Sequence, residues 1–165
     1  MEEHRFEPVF DKNSRILILG TFPSVKSRET NFYYGHPRNR FWKVVADVLG
    51  EDVPQTMEDK KAMLLRNGIA LWDVCEKCEI TGSSDSSIKN VVPVDIKRIT
   101  DNAPIIKIFA NGNTAGKLYD KYLKDKTGIE ITVLPSTSPA NAAFQTDRLL
   151  DKWKIIKEVL GDENV

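Results

Sequence analysis

Four short apolar runs punctuate this chain: RILILG at 15–20, IALWDV at 69–74, IIKIFA at 105–110 and IEITVLP at 129–135. Each is too short for a core helix and too continuously apolar for a strand with one wet face. Strands of this kind belong in a parallel sheet covered on both sides. The segments between them carry helical periodicity. NRFWKVVADVLG sets Phe41, Val44, Val45, Val48 and Leu49 on one stripe, and TMEDKKAMLLRNG runs to a stop at Gly68. NTAGKLYDKYLKD follows the third run and QTDRLLDKWKIIKEVLG the fourth. This alternation predicts an α/β fold, a three-layer α/β/α sandwich around a central four-stranded parallel sheet. No linker, repeat or low-complexity tract divides the 165 residues, which predicts one domain over 1–165. TGSSDSSIKN at 81–90 reads as a surface loop.

In such folds ligands bind beyond the carboxyl ends of the strands. The segments there are GTFPS, DVCEKC, ANGNTAG and LPSTSPAN, which predicts a single rim rich in small polar residues. In GTFPS, Gly20 lets backbone approach a ligand and Pro23 stiffens the turn, though a plain strand-exit turn reads equally well. The segment lacks the Gly-Lys-Ser/Thr ending of a P-loop. Ser24-Val25-Lys26 matches a Ser/Lys hydrolase dyad by spacing alone, without any accompanying signature.

YYGHPRNRFW at 33–42 gathers aromatic residues around His36, Arg38, Asn39 and Arg40. Asn39, just ahead of a helical stripe, reads on the residues alone as an N-cap first and as a pocket amide second. LPSTSPAN is rigid and hydroxyl-rich, suited to gripping a phosphate and equally to being a loop.

Composition narrows the partners. Formal net charge is zero, yet between residues 26 and 43 Lys26, Arg28, Arg38, Arg40 and Lys43 face Glu29 alone. That permits nucleic acid without requiring it. No run reaches membrane-spanning length, and MEEHRFEPVFDK lacks the apolar core of a secretory signal. Two cysteines, Cys75 and Cys78, are too few for a disulfide framework, which points to a reducing cytoplasm. A structural zinc site needs four ligands and only His4 and His36 supplement the pair, so neither metal nor cofactor is expected.

GTFPS, then YYGHPRNRFWKV, then LPSTSPAN after the last strand together resemble the uracil-DNA glycosylase superfamily. The likeness is nearest to its mismatch-specific branch and to the hypoxanthine-DNA (deoxyinosine) glycosylase family. In the mismatch-specific branch the first motif reads G-I-N-P-G, and H-P-x-N-R-F-W-K opens the next helix. Here Phe22 stands where that branch has its catalytic Asn, and a phenyl ring cannot orient water. The hypoxanthine-DNA glycosylase family is similar in lacking it, and its second-segment Asn carries over to Asn39. GSSDSSI at 82–88 and FANGNTA at 109–115 match that family more weakly.

The resemblance implies a uracil-DNA glycosylase-like fold and a monofunctional glycosylase releasing hypoxanthine from deoxyinosine in DNA. It implies Asn39 as the catalytic residue, its carbonyl oxygen holding water against C1′. Gly20, Thr21, Phe22, Pro23, Ser24, Tyr34, His36 and Asn111 would bind the base, Tyr34 by stacking on it. Arg38, Arg40, Ser136, Thr137, Ser138, Pro139, Ala140 and Asn141 would contact DNA. The expected state is a cytoplasmic monomer. The alternatives are a uracil or G·U/G·T mismatch glycosylase, which Phe22 disfavours, and a non-catalytic nucleic-acid-binding module on the same fold. The roles of Cys75, Cys78 and Asp85 stay open at this stage.

Overall fold

The computed structural model describes residues 1–4 and 6–162. In chain order its elements are β1 (Glu2–Glu3), β2 (Ile16–Gly20), α1 (Val25–Thr30), α2 (Phe41–Leu49), α3 (Met57–Arg66), β3 (Ile69–Asp73), β4 (Cys75–Glu79), β5 (Lys89–Pro93), α4 (Lys97–Thr100), β6 (Lys107–Asn111), α5 (Asn113–Tyr122), α6 (Lys124–Thr127), β7 (Ile131–Leu134), α7 (Thr146–Trp153) and α8 (Ile155–Asp162).

The four apolar runs form the expected parallel sheet, in the order β3-β2-β6-β7. β2 and β3 are buried along their whole length because helices cover both faces of the sheet. Full burial of each Leu or Ile contributes roughly 1.5–3 kcal/mol, so these strands dominate the core. α2 docks Phe41, Trp42, Val44, Val45 and Ala46 into that core, against α7 and α8. Trp42 keeps its indole N–H satisfied by the Tyr33 carbonyl at 3.0 Å. α5 packs on β6 and β7, and α3 on β3.

From β2 the chain passes to β3 on one side, then crosses to β6 on the other. The strand order therefore reverses beside β2, and a crevice opens outside the carboxyl ends there.

Three features depart from the sequence reading. DVCEKC is not a plain rim loop: β4 emerges directly from β3 and forms a small antiparallel sheet, ordered β1-β4-β5. Its start is held over the exit of β2 by Val74 N–H to the Gly20 carbonyl and Cys75 N–H to the Thr21 carbonyl. The 81–90 segment is a 3-10 turn, Asp85–Ser87, followed by the start of β5. The last helical pattern is two helices, with α7 ending at Trp153 and α8 beginning at Ile155.

Candidate active site

The carboxyl ends of the sheet enclose a cleft of about 1050 Å³. Gly20, Thr21, Phe22, Pro23, Ser24, Tyr34, His36, Asn39, Asn111 and the whole 136–141 loop line it. Segments up to 121 residues apart thus meet in one place, as strand topology requires. Arg38 and Arg40 are not part of the lining.

One wall is a continuous hydrogen-bonded lattice. Asn111, buried at the end of β6, donates from Nδ2 to Thr137 Oγ1 (3.0 Å) and accepts the Thr137 N–H on Oδ1 (3.0 Å). Thr137 in turn donates its hydroxyl to Asn39 Oδ1 at 2.8 Å. Asn39 Oδ1 also accepts the Phe41 N–H at 3.0 Å. That N–H can only donate, so the amide orientation is fixed. Asn39 does cap α2 by its side chain, although Arg40 occupies the backbone N-cap position. Its oxygen therefore already accepts two bonds, while Nδ2 has no protein partner among the described residues.

The 136–141 loop is stiff for the same reason. Ser136 Oγ accepts the Ser138 N–H and Ser138 Oγ accepts the Ala140 N–H, both at 3.1 Å. Asn141 Nδ2 donates to the Ser136 carbonyl at 3.0 Å. Arg40, expected at a phosphate, instead clamps this loop from within. Its guanidinium donates to the carbonyls of Phe144, Ser138 (3.0 Å) and Asn141 (3.2 Å). Arg38 is exposed, and its guanidinium makes no bond among the described residues. His36 Nδ1 accepts the Arg38 backbone N–H at 3.0 Å, which places its ring proton on Nε2. Gly112, at φ +98°, is required where β6 turns into α5, and a Cβ there would come within 3.3 Å of Ser136.

The opposite wall is apolar and sparsely bonded. Phe22 packs with the free, buried thiols of Cys75 and Cys78, and burial pushes both thiols up. They are inert filling there. Tyr34 stacks on Phe41 at 4.1 Å between centroids, from a left-handed backbone (φ +54°) unusual for a bulky residue. Its hydroxyl is buried without a hydrogen-bond partner; it approaches Asn111 but lacks bonding geometry. Burial first, then the Asp73 charge, hold that phenol far above its ordinary range. Gly20 leaves no room here: a Cβ would sit 2.3 Å from Asp73 Oδ1 and 2.8 Å from Tyr34 Oη.

Several cleft residues carry no local sequence signal. Asp73 ends β3 and is paired at 2.8 Å with His4 of the N-terminal arm, both side chains almost fully buried. Asp85, Asn113, Phe144 and Lys152 also line the cleft. The Asp73–His4 contact spans 69 residues, beyond any spacing rule. Among the described residues no group of three or more His, Cys, Asp or Glu side chains gathers as a metal site.

A parallel α/β sheet with its cleft at the strand-order reversal, and an amide locked on the cleft wall, define an α/β protein able to enclose and orient a small ligand. Residues 7–160 match the model of the uracil DNA glycosylase superfamily, and the chain belongs to that superfamily. It is 37% identical over 94% of its length to a protein of Methanosarcina acetivorans named hypoxanthine DNA glycosylase, covering 98% of that protein. A Methanosarcina barkeri protein of the same name is 36% identical, over 86% of this chain and 89% of its own. A solution NMR structure from M. acetivorans, carrying a provisional uracil DNA glycosylase name, superposes with a TM-score of 0.81 at 37% identity. That superposition covers 94% of this chain and 96% of the other.

Proposed function

We propose that this protein is a monofunctional DNA glycosylase that hydrolyses the N-glycosidic bond of deoxyinosine and releases hypoxanthine from DNA. The observation that carries the reading is Asn39, fixed by Thr137 and Phe41 on the wall opposite Phe22, where the mismatch-specific branch would have its Asn. The names of the Methanosarcina relatives support the substrate.

The target nucleotide swings out of the duplex, at a cost of a few kcal/mol that falls when it is mispaired. The base enters the cleft beside Phe22 and Tyr34; Phe41 backs one face of Tyr34, and stacking on such a ring contributes roughly 1–3 kcal/mol. Asn39 Nδ2, the amide's uncommitted end, donates to a water and leaves a lone pair of that water facing C1′. This modifies the sequence expectation that the carbonyl oxygen holds the water, since that oxygen is doubly bonded already. An amide that orients without taking a proton suits a dissociative, oxocarbenium-like transition state.

The backbone of the 136–141 loop and the free guanidinium of Arg38 contact phosphates, while Arg40 acts by keeping the loop in shape. Lys152, the lysine on the rim, is exposed on α7. A Schiff-base nucleophile needs a desolvated amine, so base release without strand cleavage follows. The same reading has the chain act as a monomer in the cytoplasm, supported by two uncrosslinked thiols. No helix among the described residues is long and apolar enough to cross a membrane.

Single-turnover assays on duplexes carrying one hypoxanthine, uracil or mismatched thymine test the reading. Hypoxanthine release leaving an intact abasic strand is expected. Release of uracil in its place would overturn the substrate, and no release from any duplex would overturn the activity.

A further inference from the structure

Two carboxylates line the cleft, and they are held differently. Asp73 has His4 as its partner at 2.8 Å. The carboxylate of Asp85, which opens the Asp85–Ser87 turn, has one hydrogen-bond partner among the described residues, the hydroxyl of buried Thr21 at 3.3 Å from Oδ2. The residue as a whole is exposed, but this carboxyl end is turned inward to the exit of β2. No cation among the described residues pairs with it.

The loop that delivers Asp85 is tied at several points. The Val25 N–H donates to Ser83 Oγ and Arg28 Nη2 to the Gly82 carbonyl, each at 2.9 Å. Ser87 Oγ accepts the Thr81 N–H at 2.9 Å and donates to the Ser84 carbonyl at 2.7 Å. The titratable and charged groups facing Asp85 are Asp73 at the end of β3, Tyr34 ahead of α2, Cys75 and Cys78 on β4, and Arg28 on α1. Arg28 is already engaged by Glu2 at 3.0 Å and by the Gly82 carbonyl. Desolvation, reinforced by the charge of Asp73, therefore raises the Asp85 carboxyl above its ordinary range, against the bond from Thr21. A base filling the cleft excludes more water and pushes in the same direction.

A purine leaves C1′ carrying the electron pair of the N9 bond. N7 lies in the same five-membered ring as N9, so a proton there neutralises the charge as it arrives. A pyrimidine has no nitrogen in that position. Resting on the reading of the site given above, we propose that Asp85 is the general acid of base departure, its carboxylic O–H protonating purine N7 as the glycosidic bond breaks. The C1′–N9 bond breaks with its electron pair going to the base, and the Asp85 proton moves to N7. The oxygen of the water held by Asn39 bonds to C1′, and the proton that this water sheds returns through solvent to the Asp85 carboxylate. One water is consumed and the acid is regenerated.

Asp85→Asn keeps the side chain's shape and removes its acid. Single-turnover release of hypoxanthine should fall about a hundredfold, the scale of general acid catalysis, with duplex binding retained and thermal stability no lower than that of the wild type. The wild-type rate should decline as pH rises past the Asp85 range, and the variant's profile should be flat. A duplex carrying 7-deaza-2′-deoxyinosine, in which N7 is replaced by CH, should be cleaved equally slowly by both proteins. A variant with the wild-type rate and pH profile overturns the acid. So does a 7-deaza penalty that multiplies with the substitution, and equal rates on the 3-deaza base instead would overturn the choice of N7. If the wild type excises hypoxanthine and the variant matches it, the acid alone fails; if the wild type excises none, the reading of the site fails with it.

Discussion

On the β6–β7 side of the cleft, Asn111, Thr137 and Asn39 are joined by hydrogen bonds of 2.8–3.0 Å, and Arg40 pins the loop behind them. On the β2–β3 side, Phe22 sits on two thiols, the Tyr34 hydroxyl is buried unbonded, and Asp85 has a single hydroxyl neighbour. The first wall over-determines the position of one amide. The second leaves the Tyr34 hydroxyl unbonded and the Asp85 carboxylate with one partner beside aromatic rings, as a surface must if a flat, hydrogen-bonding ligand is to replace water there. On the proposed reading, positioning and recognition are divided between the two sides of one strand-order reversal.

Substitutions that act on one wall at a time test that division. Asn39→Ala should cut base release roughly a thousandfold, the scale seen for a single preorganised donor, with duplex binding unchanged by gel shift. Full activity would return Asn39 to a capping role. Gly20→Ala drives a methyl group into Asp73 and Tyr34, between the walls. It should cost about 1–3 kcal/mol by urea denaturation, as overpacking does, and impair both binding and release. Thr137→Val deprives Asn39 and Asn111 of their shared hydroxyl. A loss of about 1–2 kcal/mol is expected, with slower single-turnover release at unaltered affinity. An equal loss of affinity would mean that the lattice serves binding as well.

Smaller effects belong to the other wall. Tyr34→Phe removes a hydroxyl that has no partner, and stability should hold within about 0.5 kcal/mol or rise. A clear loss by thermal unfolding would give that hydroxyl a structural function. Folding raises the Asp85 carboxyl above its ordinary 3.8, so the native state holds this proton more tightly than the unfolded chain does. The stability so gained is complete in acid below that value and lost as pH rises through the raised one. Asp85→Asn should therefore unfold at a higher temperature than the wild type near neutrality, with the gap closing in acid.

The sheet was legible because its strands are buried on both faces, which leaves unbroken apolar runs such as RILILG. β4 and β5 escaped notice because CEKCE and KNVVP show no such run, and bulges between Cys75, Lys77 and Glu79 break their pairing. Within the site, the N-cap position of Asn39 and the rim segments were readable from local pattern and from the family likeness. The clamp made by Arg40 was not readable, since charge says nothing about which carbonyls a guanidinium will meet 98 to 104 residues away. The Asp73–His4 pair was invisible for the same reason.

The central position of β2 bears on how the enzyme is made. β2 is the first strand of the parallel sheet to be synthesised, yet its neighbour β6 emerges some 90 residues later, and Thr137, which steadies Asn39, later still. A nascent chain therefore exposes its first cleft segment well before it holds an ordered amide. Partly synthesised molecules, and fragments cut anywhere before Thr137, should be unable to excise a base.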